Sequence, residues 1–143
     1  MKVIPLLLIL FALFFLFRTP HSRKPEIILN DTVFSVEVAD TEIARERGLS
    51  GHHPLSDREG MLFIFPKPDI YGFWMKDMNF PIDIIWFDRN WTIISLEKSV
   101  ATSTYPHIFY PSSPAMYVLE VKSGISDFSH FKVGDVALHK HSR

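Results

Sequence analysis

Alternation of apolar and polar residues predicts a β-hairpin near the start of the globular part of the chain. An apolar run and an alternating run lie on either side of the turn-forming pair Asn30-Asp31. In the alternating run, Phe34, Val36 and Val38 fall on one face of a strand. The second strand of this hairpin should therefore have one buried face and one exposed face.

Two short helices are predicted from capping signals. After Asp40 or Thr41, either of which can act as an N-cap, good helix formers continue to Arg47, and Gly48 stands where a left-handed C-terminal cap would fall. A second short helix is expected around residues 126 to 131, before a turn at residues 133 to 135.

The remaining pattern is mainly that of short strands separated by prolines and turn-forming residues. We expect a hairpin joined at residues 88 to 90. The predicted strands are MLFIF ending at Pro66, GFWM, IDIIWFD, WTIISLEKS, AMYVLEV and VALH. These elements predict a mostly-β (α+β) domain, either a small barrel or a strongly bent sheet with one or two short helices.

An uncharged apolar segment precedes this domain and is expected to meet a membrane. Residues 3–17 form a run of apolar side chains between Lys2 and Arg18. A run of this length is shorter than the roughly twenty residues that span a bilayer and is typical of a signal-peptide apolar region. Basic residues and a missing small-x-small pair after it favour an uncleaved signal anchor over a cleaved signal peptide; a buried core helix is a third reading. We therefore divide the chain into a signal anchor or signal peptide (1–18), a linker (19–25) and one domain (26–143).

Composition narrows the classes of function. With 143 residues and 47% apolar content, the chain suits one domain with a sizeable core. All 16 acidic residues follow position 25, so the domain is acidic, which argues against nucleic acid as a partner. Cysteine is absent, which excludes disulfides, thiolate metal sites and cysteine nucleophiles.

Two carboxylates set inside predicted strands are the main candidates for chemistry. Alternation places Asp83 with Ile85 and Phe87, and Glu120 with Val118. Such carboxylates could form structural ion pairs with Arg47 or Lys76, the polar floor of a ligand site, or an acid–base pair in catalysis. Structural pairing is the favoured interpretation of the three.

Aromatic and sulfur-containing side chains offer weaker candidates. Most aromatic residues in a small β domain belong to the core, but alternation sets Trp74 opposite Phe73 and Met75, so Trp74 could line a cleft. Methionines 61, 75 and 78 with His52-His53 could gather around Cu(I), although methionine commonly fills cores. No motif marks a known cofactor, and we predict no metal site.

Five ordered motifs resemble the bacterial and archaeal family DUF192, also called UPF0127. They are RGLSG (47–51), GMLFIF (60–65), FWMKDMNFPIDIIWFD (73–88), YVLEV (117–121) and VGD (133–135). The resemblance implies a small mostly-β domain, often preceded by a signal sequence, and no particular reaction.

Export is expected from this resemblance together with the signal-like length of the apolar segment. The positive-inside rule weighs Lys2 against Arg18, Arg23 and Lys24 and, taken alone, would leave the domain in the cytoplasm. We expect a domain anchored in the membrane through residues 3–17 and facing the periplasm or cell exterior, or secreted after cleavage.

The function expected from the sequence is non-catalytic binding of a small molecule or an envelope component. The candidate cleft comprises Arg47, Trp74, Lys76, Asp83 and Glu120. The alternatives are an acid–base hydrolase or lyase using Asp83 and Glu120, and a purely structural interaction domain.

Overall fold

A computed structural model describes residues 24–140, which form a seven-stranded sheet, two short α-helices and one 3-10 turn at Thr102–Thr104. The prediction of a mostly-β domain with one or two short helices is confirmed. In chain order the elements are β1 (Glu26–Leu29), β2 (Thr32–Ala39), α1 (Glu42–Arg47), β3 (Glu59–Asp69), β4 (Ile82–Phe87), β5 (Ile93–Val100), β6 (Ala115–Lys122), α2 (Ile125–Phe128) and β7 (Ala137–Lys140).

The strands form one sheet in the order β5-β4-β6-β3-β2-β1-β7, and only β2 and β3 run parallel within it. The sheet is curled into a half-barrel. Its two ends meet where Ile93 donates its backbone N–H to the carbonyl of Asp135 at 2.8 Å and Ala137 donates to Trp91 at 2.9 Å. The seam between these ends satisfies backbone groups that an open sheet edge would expose.

The predicted hairpin and the predicted first helix are both confirmed. β1 and β2 pair across Asn30-Asp31, with Phe34 and Val36 buried. Thr41 is the N-cap of α1 because its hydroxyl accepts from the N–H of Ala44 at 3.2 Å, and Gly48 ends the helix with a positive φ.

Two strand predictions are wrong. Residues 72–75 form no strand, because only Phe73 pairs with the backbone of Phe109, and the left-handed φ of Asp77 turns the chain soon afterwards. β3 also continues past Pro66 to Asp69. Its pairing with β6 is interrupted between Ile64 and Asp69, so the N–H group that Pro66 lacks is not needed for a hydrogen bond between the strands.

Both faces of the sheet are covered by a hydrophobic core. Inside the curl lie Ile85 and Phe87 of β4, and on the outer face, beneath α1 and the connecting loops, lie Ile84 and Trp86. The predicted alternation in β4 is therefore confirmed, and both sides of this strand are buried.

The predicted signal segment (1–18) and the predicted linker (19–25), apart from Lys24 and Pro25, lie outside the described residues. Over residues 24–140, no helix is long and apolar enough to cross a membrane.

Candidate functional site

Asp83 and Glu120 point to opposite faces of the sheet. In the antiparallel pairing of β4 and β6, Asp83 lies opposite Val121, whereas Glu120 lies opposite Ile84. Opposed residues share a face and successive residues alternate, so Asp83 faces the interior of the curl and Glu120 faces α1. The two candidate carboxylates are therefore not brought together.

The carboxylate of Asp83 is occupied by hydrogen bonds that hold the fold together. Its side chain is fully buried and accepts three backbone N–H groups, from Ser99 at 2.7 Å, Gly124 at 3.1 Å and Ser126 at 2.8 Å. These bonds join the end of β5 and the start of α2 to β4. Neither Arg47 nor Lys76 forms an ion pair with it, so the expected cationic partner is replaced by backbone donors.

Glu120 instead opens into a pocket of about 830 Å³ beneath α1. The pocket is bounded by α1, the outer face of β3 and β6, and the loop that follows β3. Its lining residues are Glu42, Ile43, Arg45, Glu46, Arg47, Gly48, Leu49, Ser50, Phe63, Phe65, Pro66, Tyr71, Gly72, Phe73, Trp74, Lys76, Met78 and Glu120. Four of the five predicted cleft residues line this pocket, and Asp83 is the exception.

The Glu120 carboxyl is buried without a partner. The residue is 4% exposed, its neighbours across the sheet are Met61 and Ile84, and its Oε2 atom has no hydrogen-bond partner. Burial raises the pKa of Glu120 to about 8. At neutral pH the side chain is therefore mainly a neutral acid, which can donate a hydrogen bond into the pocket.

Exposed aromatic and cationic groups surround the mouth of the pocket. Trp74 is 46% exposed, Lys76 Nζ lies 5.7 Å from its ring centroid, and the Tyr105 ring packs against it edge-on. Ser50 donates its hydroxyl to the carbonyl of Lys76 at 2.9 Å, which joins the end of α1 to the loop. Within residues 24–140, neither Lys76 nor Arg47 has an ion-pair partner.

Aromatic side chains form part of the pocket wall and are held by specific contacts. Phe65 and Tyr71 stack with ring centroids 3.5 Å apart, and Phe63 meets Phe73 edge-on at 4.8 Å. Arg45 lies over the Phe65 ring and donates to the carbonyl of Ile64 at 2.9 Å. Phe63, Phe65 and Tyr71 were not among the sequence candidates, because the first two lie in a predicted strand, where aromatic residues usually belong to the core, and the loop that carries Tyr71 has no periodic pattern.

Phe73 and the three methionines named in the aromatic and methionine predictions lie on the outer face of the sheet. Phe73 and Met75 are buried while Trp74 is half-exposed, as the alternation predicts. Met61 and Met75 lie in the outer-face core, and Met78 packs against it. In the part of the chain that the structure describes, no three histidine or acidic side chains gather in a metal-binding cluster.

Known proteins share this fold. A protein of unknown function from Novosphingobium aromaticivorans is similar at 26% identity with a TM-score of 0.72, covering 84% of this chain and 89% of that one. A protein described as a proposed transcription regulator from Sinorhizobium meliloti is similar at 24% identity with a TM-score of 0.75, covering 85% of this chain and 98% of that one. No curated protein matches the chain.

The match to a family extends over nearly the whole described region. Residues 26–139 match DUF192, described as "Uncharacterized ACR, COG1430". The matched range begins at the first residue of β1 and ends one residue before the end of β7, so it includes every strand and both helices. The chain therefore belongs to the DUF192 family.

Proposed function

We propose that the domain binds a small molecule in the pocket beneath α1 without transforming it. The observation that carries this proposal is the buried carboxyl of Glu120, a residue that lines the pocket and whose Oε2 atom has no hydrogen-bond partner. A buried polar atom without a partner reduces stability by roughly 1–3 kcal/mol, and a bound molecule can provide that partner.

The shape and lining of the pocket support a ligand of small-molecule size. Its volume of about 830 Å³ falls in the range of ordinary ligand sites, and its aromatic walls can cover a planar body. Trp74 presents an exposed ring at the mouth, where it can contact an entering molecule. An envelope component could bind through a group small enough to enter the same pocket.

The acid–base alternative lacks its second carboxylate at the site. Asp83 faces the interior of the curl and uses its oxygens on three backbone N–H groups, so it is not available to act with Glu120. A purely structural role remains a competing hypothesis, and it predicts that no molecule occupies the pocket specifically.

Binding can be tested by NMR titration of the full chain with three matched aromatic probes: benzamide, benzylamine and benzoate. We expect at least one probe to shift the amide signals of Gly48, Ser50 and Gly72 and the indole signal of Trp74. Trp74→Ala should weaken binding, whereas Phe128→Ala, at an exposed aromatic residue outside the pocket lining, should not. If none of the three probes shifts the lining residues, the proposal is wrong.

Export of the domain is a second, independent proposal based on the apolar segment at residues 3–17. A reporter fused after Arg143 that is active only outside the cytoplasm should be active. An inactive reporter on a fusion protein that is produced at full length would contradict export and would leave the binding proposal unaffected.

A further inference from the structure

We propose that the pocket selects planar molecules that carry an uncharged hydrogen-bond acceptor, such as an amide or ketone carbonyl, which receives a hydrogen bond from the acid form of Glu120. This inference rests on the proposed binding function and adds the chemical class of the ligand.

Among the charged residues that line the pocket within the described chain, Glu120 is the buried one. It projects from the middle of β6, between Met61 of β3 and Ile84 of β4, and is almost completely buried. No protein donor or acceptor contacts Oε2. A ligand that reaches this depth therefore meets one carboxyl whose proton has no acceptor in the protein.

Charged groups near the pocket lie on the helix, the loop and the neighbouring strands. In the cross-strand row through Glu120, the next residues beyond Met61 and Ile84 are Glu37 and Glu97, each about 10 Å away at the usual strand spacing. His52 lies 3.7 Å from Glu37. The remaining titratable or charged groups line the pocket itself: Glu42, Arg45, Glu46, Arg47, Tyr71 and Lys76.

This arrangement disfavours a charged group at the inner end. Three cations and two glutamates from α1 and the loop line the pocket, so a cationic ligand meets a net repulsion as long as Glu120 is neutral. An anion would be held by Arg47 and Lys76 at the mouth, and Glu120 would keep its unpartnered oxygen. Aromatic walls also fail to replace the water that any ion loses on entering.

An uncharged carbonyl avoids both costs. Its oxygen accepts a hydrogen bond from the carboxyl O–H of Glu120, while a planar group attached to the carbonyl packs against Phe63, Phe65 and Phe73. Since only the neutral form of Glu120 donates this bond, binding should weaken when the carboxyl ionises. Its raised pKa places that change in mildly alkaline solution.

The test compares benzamide, benzylamine and benzoate on the full chain at about pH 6 and about pH 9. Benzamide should bind most tightly, and its affinity should fall about tenfold between these pH values, because Glu120 ionises with a pKa of about 8. In Glu120→Gln the amide N–H replaces the acid O–H, so benzamide binding should persist and lose its pH dependence.

Three results would overturn this inference while leaving small-molecule binding intact: tighter binding of benzylamine or benzoate, loss of benzamide binding in a folded Glu120→Gln variant, or a flat pH profile in the wild type. The wild-type pH profile keeps the test decisive if the variant fails to fold. Failure of all three probes to reach the pocket would instead overturn the proposed function and this inference together.

Discussion

At the scale of single residues, Glu120 should make the stability of the domain depend on pH. Burial raises its pKa to about 8 from a value of 4.5. A group whose pKa is higher in the folded state than in the unfolded state contributes its stability at low pH, and this contribution is lost as the pH rises through the folded pKa. The free energy of unfolding should therefore fall between about pH 5 and pH 9, by roughly 4 kcal/mol more than in Glu120→Gln.

Urea denaturation of both proteins at the two pH values measures this difference. The glutamine variant is the matched control because it keeps the shape of the side chain and does not titrate, so other pH effects cancel. Equal pH dependence in the two proteins would show that Glu120 is solvated in the folded state.

Asp83 should be required for stability and dispensable for ligand binding. In Asp83→Asn, one of the two carboxylate oxygens becomes an amide group that cannot accept, and at least one of the N–H groups of Ser99, Gly124 and Ser126 loses its partner. We expect a loss of roughly 2–3 kcal/mol in the free energy of unfolding.

The control for Asp83→Asn is Asp127→Asn, which removes an exposed ion pair between Asp127 and Lys98. That change should cost less than about 1 kcal/mol. Chemical denaturation gives both values, and an Asp83→Asn protein as stable as the wild type would contradict the structural role of this carboxylate.

The sequence could identify both carboxylates as unusual but could not assign their roles. Period-two alternation correctly places Asp83 with Ile85 and Glu120 with Val118. The partners of Asp83 are backbone N–H groups that lie 16 to 43 positions away in the chain, and they have no side-chain signature. The same limit hides the absence of a partner at Glu120.

At the scale of elements, α1 should depend on its N-cap because the helix is short and has no buried residue of its own. Thr41→Ala removes the acceptor for the N–H of Ala44 and should cost about 1 kcal/mol. Since Arg45 and Arg47 of this helix line the pocket, probe affinity should fall as well.

Amide exchange of Ala44 and benzamide titration measure the two effects of Thr41→Ala. Thr41→Ser keeps the hydroxyl acceptor and should behave like the wild type. If the alanine variant retains both slow exchange and full affinity, the helix is held by other contacts.

The elements that the sequence predicts well are those with a local pattern. β4 and β5 with their turn, the hairpin and the capped helix follow from alternation and turn chemistry. The segment around Phe73 and Trp74 also alternates, but it is fixed as a loop by contacts with distant parts of the chain. Phe73 pairs with Phe109, and the indole of Trp86 donates to the carbonyl of Tyr71 at 3.1 Å. Alternation alone therefore gave the right faces and the wrong element.

At the scale of the whole molecule, the pocket arises from parts of the chain that are far apart in sequence. Gly51 donates its N–H to the carbonyl of Asp77 at 3.2 Å, which joins the segment after α1 to the loop that carries Lys76 and Met78. The family resemblance indicated the motifs on both sides of this contact, but the enclosed volume depends on tertiary packing.

The seam that joins the two ends of the sheet should depend on Trp91. Trp91 stacks on Tyr117 of β6 with centroids 3.9 Å apart and on His139 of β7 at 4.9 Å, and its carbonyl accepts from Ala137. Trp91→Ala should therefore cost about 2 kcal/mol, less than a fully buried tryptophan, and speed amide exchange at Ala137. Trp74→Ala is the matched control, because it removes a half-exposed tryptophan at the pocket mouth and should weaken binding with little loss of stability. Comparison of the two variants distinguishes a residue that closes the sheet from a residue that binds the ligand. Weaker binding in Trp91→Ala with unchanged amide exchange at Ala137 would place Trp91 in the binding site and contradict its role in closing the sheet.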